Sequence, residues 1–169
     1  MAEKKILMVV SPYRFNDRQY EVCRRFWEGH GYKVSLASLE RGAARGESGM
    51  AVPVDMALAD VKTYDFDAVV FLGGEGARRL FDEESARKLA KDVKYKVLGA
   101  SDDAVILLSL AGVLENKKVT GPPESAGWLL KGKAIYTAEP IQVDDKLITI
   151  RDPEMSEHLA REIVKALEK

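Results

Sequence analysis

The stretch Asp67-Ala68-Val69-Val70-Phe71-Leu72, closed by Gly73-Gly74, decides the fold of this chain. After Asp67 every residue is apolar, so both faces of an extended segment would be apolar. That pattern is typical of a strand covered on both sides in a parallel sheet. Lys5–Val10 repeats it, Tyr95–Ala100 is also predicted as a strand, and Tyr32–Leu39 is rich in β-forming residues. These segments predict the centre of one sheet.

Helical patterns lie between the strands. Asp17–His30 carries Val22, Cys23, Phe26 and Trp27 at the spacing of one helix face, and Gly29-His30-Gly31 ends it. Further helices are predicted after an N-cap at Asp82, over Ala104–Ala111, over Glu124–Leu130, and after the cap Asp152-Pro153. Alternating strands and helices predict an α/β fold, with a mostly parallel sheet and helices on both of its faces.

Shorter segments complete the pattern. Gly42, Gly46 and Gly49 predict a loop. Asp144-Asp145 predicts the turn of a hairpin. The additional short strands are predicted at Met50–Val54, Lys118–Thr120, Ala134–Tyr136, Ile141–Val143 and Leu147–Ile150.

Composition limits the class of protein. The chain has 169 residues, 46% of them hydrophobic, which suits a single domain over 1–169. With 26 basic and 27 acidic residues, we expect no nucleic-acid partner; no apolar run is long enough to span a membrane. The single cysteine, Cys23, allows no internal disulfide. We expect a cytoplasmic protein. Abundant charge with only two Asn and two Gln is typical of thermophilic proteins.

Ligands of open parallel sheets bind beyond the carboxyl ends of the strands. The loops expected at that edge are Ser11–Asp17, Gly73–Ala77, Ser101–Ala104 and Thr120–Ser125. The run Gly73-Gly74-Glu75-Gly76-Ala77 lacks the spacing of dinucleotide- and nucleotide-binding loops, so we expect no nucleotide, and we predict no cofactor.

Several motifs in the right order resemble one family. Tyr32–Gly42 is similar to its second strand and turn, Val52-Pro53-Val54-Asp55 to its Val-x-Val-Asp hairpin, and Phe66–Gly74 to its strand ending in Pro-Gly-Gly. Leu110–Leu114 and Lys118–Thr120 resemble the segment after its nucleophile helix. The family is the ThiJ/PfpI group of the class I glutamine amidotransferase-like superfamily. It includes the PfpI-type intracellular proteases and the Parkinsonism-associated deglycase.

The resemblance implies a flavodoxin-like three-layer sandwich, assembled as a homodimer or larger ring. It also implies a nucleophile elbow: a Cys on a strained strand-to-helix turn, commonly followed by His, with a Glu beside the thiol. The second Gly of Gly73-Gly74 and the amide after the nucleophile would stabilise an oxyanion. In this chain the ungapped register puts Asp102 at the Cys position and Asp103 at the His position, while Asn16 stands at the Glu position. All three usual groups are replaced.

Asp102 and Asp103 are therefore the candidate catalytic residues, together with Asn16. Gly73, Gly74, Glu75, Arg14 and Glu124 are the candidate binding residues. Asp102 has three interpretations. It is a fixed anion, hydrogen-bonded to elbow amides and paired with Arg14, Arg18 or Arg151, which would lower its pKa. Alternatively, the acids bind a ligand or a hard cation such as Mg²⁺, or Asp102 is a nucleophile.

No other residue offers a better nucleophile. Cys23 lies on an apolar helix stripe and is expected to be a buried, inert thiol. His30 and His158 are expected at the surface, away from the elbow, and Ser101 belongs to the strand end.

Three functions follow. The first is a protein that has lost Cys-dependent hydrolase or glyoxalase chemistry and binds a small molecule or a partner. The second is a hydrolase or hydratase using Asp102 and Asp103, with or without a metal. The third is a structural assembly unit, for which Trp128 in Glu124–Leu130 offers an interface residue.

Overall fold

The computed structural model describes residues 3–169 and is built around a seven-stranded sheet. The strands are β1 (Lys5–Val9), β2 (Tyr13–Phe15), β3 (Lys33–Ser38), β4 (Gly42–Gly46), β5 (Ala51–Val54), β6 (Met56–Ala57), β7 (Ala68–Phe71), β8 (Val97–Ser101), β9 (Lys118–Val119), β10 (Ile135–Tyr136), β11 (Ile141–Asp144) and β12 (Leu147–Ile150). The helices are α1 (Asp17–Gly29), α2 (Glu84–Asp92), α3 (Ala104–Leu110), α4 (Ala126–Lys131) and α5 (Ser156–Leu167). Short 3₁₀ turns precede α4 at Pro123–Ser125 and α5 at Pro153–Met155.

The central sheet has the order β11-β12-β8-β7-β1-β3-β6 and is parallel except for the β11–β12 hairpin. The expected hairpin turn is present, with Asp145 in the left-handed region at a φ of 55°. β7 lies between β1 and β8, as expected for a strand that is apolar on both faces. The predicted α/β class is confirmed.

The two faces of this sheet are covered by two separate hydrophobic clusters. In β1, Leu7 and Val9 join the cluster under α2 and α3, whereas Ile6 and Met8 join the one under α1 and α5. This alternation follows from the two-residue period of a strand. The result is a three-layer sandwich. On one side α1 is tied to α5 by Trp27, whose indole N–H donates to the Ala160 carbonyl at 3.0 Å.

Two local predictions were wrong. The segment expected to be a glycine-rich loop forms β4, which pairs antiparallel with β5 and parallel with β2. Strand pairing with Val52 and its neighbours overrides the glycines' weak preference for extended structure. Asp82 does not cap α2: the N-cap is Glu83, and Asp82 instead lies 3.4 Å from Arg87. The cap predicted at Asp152-Pro153 is confirmed: Asp152 caps the 3₁₀ turn Pro153–Met155, which leads directly into α5 at Ser156.

No helix among residues 3–169 is both long and apolar enough to cross a lipid bilayer.

Candidate functional site

The elbow forms where β8 passes into α3. β8 ends at Ser101, Asp102 has a φ of 53°, and α3 begins at Ala104. Asp is among the few residues other than Gly that adopt this left-handed conformation at modest cost. The backbone N–H of Asp102 donates to the Ile150 carbonyl at 3.1 Å, which ties the turn to β12. The strained conformation predicted for Asp102 is present.

Gly73 allows the elbow to sit close against the end of β7. A Cβ added at Gly73 would lie 2.6 Å from the Cβ of Asp102 and 2.7 Å from the Ser101 carbonyl oxygen. Gly74 has a φ of 128° and equally little space, since an added Cβ would lie 2.6 Å from the backbone nitrogen of Asn16. Both glycines are required by the packing of the loop against the elbow.

Above the elbow lies an open cleft of about 260 Å³ at the carboxyl ends of the strands. Six of the eight predicted site residues line it. The lining residues are Asn16, Glu47, Gly74, Glu75, Asp102, Asp103, Pro122, Glu124 and Pro153. Gly73 packs against Asp102 from below. Arg14 is exposed and pairs with Glu75 at 3.2 Å.

The electrostatics of Asp102 contradict the expected arginine pairing. Arg14 contacts Glu75 and Arg151 contacts Asp152, so neither neutralises the elbow carboxyl. Burial, the largest cause, together with the nearby acids Asp103, Asp152, Glu47 and Glu124 in that order, raises the pKa of Asp102 from 3.8 to about 7. The expectation of a lowered pKa and a fully ionised Asp102 was wrong, because this carboxyl is largely buried and the acids around it outnumber any basic partner.

Asp103 occupies the position next to the Gly74 amide. Burial raises the pKa of its carboxyl, while the backbone N–H groups of Gly74 and Asp103, with Arg78, oppose the increase. Its Oδ1 is buried and has no hydrogen-bond partner within residues 3–169. The effect of the Gly74 and Asp103 amides on this pKa shows that the two amides that the resemblance assigns to an oxyanion lie near the protein's own carboxylate.

Asn16 has a structural task. Its Oδ1 accepts the backbone N–H of Gln19 at 3.0 Å and so caps α1, and its own N–H donates to the Gly73 carbonyl at 2.9 Å. An N-cap of this type is worth about 1 kcal/mol. Its amide lines the cleft but supplies no carboxylate there.

Sequence reasoning missed Glu47 and Asp152. Glu47 reaches the cleft because the turn between β4 and β5 is anchored on Asp17, whose Oδ2 accepts the N–H groups of Ser48 at 3.0 Å and Met50 at 3.2 Å. Burial alone would raise the pKa of Asp17, but these hydrogen bonds lower it overall. Burial and the acids around it raise the pKa of Glu47. The signal in the sequence was the glycine pair flanking Glu47, which predicted a loop without saying where it would fold.

The expectations for the other nucleophiles and bases are met. Cys23 is fully buried between α1 and α5, and burial raises the pKa of its thiol to about 12. His30 is exposed and stacks on Phe26, and His158 is exposed on α5. Ser101 is the buried last residue of β8.

In the part of the chain that the structure describes, no three His, Cys, Asp or Glu side chains are arranged to hold a metal ion. The carboxylates that line the cleft are spread over its surface and are not grouped around one cation position.

A parallel sheet with a strand-to-helix elbow at its carboxyl edge defines an α/β protein of the flavodoxin-like class. The profile of the DJ-1/PfpI family matches residues 4–166. The chain belongs to the DJ-1/PfpI family.

Similar proteins and structures support this family assignment. Uncharacterized protein MJ0967 of Methanocaldococcus jannaschii is 32% identical over 174 residues, covering 100% of this chain and 85% of the relative. Deglycase PfpI of Pyrococcus furiosus is 28% identical, covering 95% of this chain and 98% of the relative. The crystal structure of a ThiJ/PfpI domain protein from Brachyspira murdochii superposes with a TM-score of 0.94 at 29% identity, covering 99% and 98% of the two chains.

Proposed function

We propose that this protein binds a small ligand in the elbow cleft through the carboxyl group of Asp102, and that it lacks the thiol-dependent chemistry for which several of its relatives are named. The observation that carries the proposal is Asp102 itself. It stands in the left-handed elbow position, at the base of the cleft, with a pKa raised to about 7.

The absence of a thiol at the elbow argues against protease or deglycase activity of the cysteine type. Thiolate chemistry needs an ionised sulfur that a substrate reaches. The chain has one cysteine, and Cys23 is fully buried with a thiol pKa of about 12. The amides of Gly74 and Asp103 lie near the Asp103 carboxylate, which competes with any substrate oxyanion for the same place.

The cleft favours a ligand of a few heavy atoms that carries hydrogen-bond donors or positive charge. Its volume of about 260 Å³ lies just below the usual range of small-molecule sites. At neutral pH Asp102 is present in both protonation states, so it both donates and accepts hydrogen bonds. The acids Glu47, Asp103 and Glu124 around it make the cleft attractive to cations.

A thermal-shift screen of small amines, amidines and polyols tests the binding function. A ligand at 100 times its Kd contributes about 2.7 kcal/mol of stability, or about 5–10 °C for a chain of this size. Asp102→Ala should abolish the shift. Asp60→Ala removes an exposed acid outside the cleft and should leave it intact. Shifts that survive Asp102→Ala would contradict the proposed site.

The activity arm of the test uses peptide, glycated-amine and glyoxal substrates. We expect negligible turnover, and no effect of thiol-blocking reagents on the folded protein. Robust turnover abolished by alkylation of Cys23 would overturn the proposal.

One observation favours a second function, general acid–base catalysis by Asp102. A carboxyl with a pKa near the working pH is suited to moving protons, and hydrolase or hydratase reactions need such a group. Turnover that follows the titration of Asp102 and is lost in Asp102→Asn would select this function over binding alone. The metal-assisted form has no support in the arrangement of side chains described above.

We also propose self-association in the cytoplasm. The support is Trp128 on α4, which is 42% exposed and lies under the Lys131 ammonium at 5.8 Å from the ring centre, while Leu130 is 61% exposed. Large exposed aromatic residues are enriched at interfaces. If the screen finds neither ligand nor turnover, a structural assembly role accounts for the protein.

A further inference from the structure

A chain of buried hydrogen bonds runs behind the elbow. The Gly73 N–H donates to the Ser101 hydroxyl at 2.9 Å, and that hydroxyl donates to the Gln19 side-chain oxygen. The Gln19 side-chain N–H donates to the Ser156 hydroxyl at 3.0 Å, which in turn donates to the Pro153 carbonyl. We call this chain, from Gly73 to Pro153, the relay.

The bonds of the relay all run in the same direction, from the Gly73 N–H to the Pro153 carbonyl. A hydroxyl has one hydrogen to donate. Ser101 accepts from Gly73 and donates its hydrogen to Gln19, so the oxygen end of the Gln19 amide faces Ser101. The nitrogen end then faces Ser156, whose hydrogen goes to Pro153.

The side chains of the relay are shielded from water. Ser101 is 0% exposed, Gln19 1% and Ser156 4%. Each polar group therefore has only its relay partners to replace water, and removing one leaves the next unsatisfied in an apolar environment. Such a network resists local distortion.

The two ends of the relay lie at the cleft. Ser101 immediately precedes Asp102, and Gly73 packs against the Asp102 Cβ. At the other end, Pro153 forms one wall of the cleft. The relay therefore connects the base of the site to one of its walls, across α1 and the start of α5.

We propose that Gln19 and Ser101 are positioning residues of the elbow site, which hold Asp102, the Gly73 loop and the Pro153 wall in one fixed arrangement. The importance of that arrangement rests on the proposed function. The experiment needs no ligand, so its outcome is independent of the screen.

Two variants interrupt the relay at different points. Ser101→Ala removes the partner of the Gly73 N–H directly. Gln19→Met keeps a side chain of similar length, and Gln19 makes no direct side-chain hydrogen bond to Gly73 or Asp102. The matched control is Ser109→Ala, which also deletes one largely buried hydroxyl, bonded to the Trp128 carbonyl at 2.8 Å on the other side of the sheet.

Two residue-specific NMR measurements decide the matter: hydrogen exchange at the Gly73 amide and the titration of the Asp102 carboxyl carbon. In Ser101→Ala we expect exchange at Gly73 to be about tenfold faster, the equivalent of one lost hydrogen bond. The titration midpoint of Asp102 should move to lower pH, because a loosened elbow admits water. Gln19→Met should move both in the same direction by less, and Ser109→Ala should move neither.

A merely structural relay gives a different result. All three variants would then lower the melting temperature while Gly73 exchange and the Asp102 midpoint stay at their original values, and the proposal would be overturned. Should Ser101→Ala fail to fold, Gln19→Met decides alone by the same two measurements. If the ligand screen is negative but the NMR changes are as expected, the proposed function is wrong and the positioning role is still supported.

Discussion

Replacing Asp102 by Asn should stabilise the protein at alkaline pH. Asn removes the titrating group but tolerates the same left-handed backbone, so the elbow keeps its shape. Because the pKa of Asp102 is raised from 3.8 to about 7 in the folded protein, the folded state binds more protons than the unfolded state between these values. Stability is therefore lost as pH rises through this window.

The magnitude follows from the same shift. At 1.36 kcal/mol for each tenfold change, the step from 3.8 to about 7 corresponds to at most about 4 kcal/mol of destabilisation above pH 7. The cleft is open to solvent, and we expect about half of that, roughly 2 kcal/mol, to be realised. The free energy of unfolding of Asp102→Asn should exceed that of the original protein by this amount at pH 8.5. The difference should disappear near pH 4.

Urea unfolding at pH 4, 5.5, 7 and 8.5 measures the difference. Asp60→Asn is the matched control, since Asp60 is exposed and lies outside the cleft; it should leave the pH dependence unchanged. If Asp102→Asn is less stable than the original protein at pH 8.5, Asp102 is a favourably paired anion and the account of the site's electrostatics is wrong.

Three further predictions concern other parts of the molecule. Asp17→Ala should cost about 2 kcal/mol near neutral pH and release Glu47 from the cleft. Since the pKa of Asp17 is lowered, this cost should shrink as pH falls below about 4; urea unfolding at several pH values measures it, and a cost that does not change with pH would contradict the prediction. In a Cys23→Ala background, Asp102→Cys should react with iodoacetamide in the folded state, whereas the original protein should react only on unfolding; mass spectrometry distinguishes the two. Trp128→Glu should reduce the mass found by light scattering to that of one chain, and an original protein that is already monomeric would contradict self-association.

The sequence contained enough information for the sheet and the elbow. Segments apolar on both faces, such as Asp67–Leu72, become central parallel strands because only a covered sheet buries both faces. The register of the family resemblance placed the turn at Asp102, and the small residues of β8 and the tolerance of Asp for positive φ agree with the strained conformation found there. These features depend on local patterns of side-chain size and polarity.

The electrostatics of the cleft could not be predicted in this way. The partner of Arg14 is Glu75, and Glu47 arrives on a turn anchored by the buried carboxylate of Asp17. Both facts depend on where loops distant in sequence come together. The relay could not be predicted for the same reason, since Gln19 and Ser156 are 137 positions apart. Composition alone suggested that the protein is heat-adapted. This stays a prediction, which a thermal melting curve would test.

The most direct test of the central claim is the titration of the Asp102 side-chain carboxyl carbon by ¹³C NMR in the intact protein, assigned by the signal missing in Asp102→Asn. A midpoint near pH 7 would establish that the elbow carries a carboxyl group that exchanges its proton at neutral pH. A midpoint at or below about 4, the value of an ordinary aspartate, would contradict the account of the site.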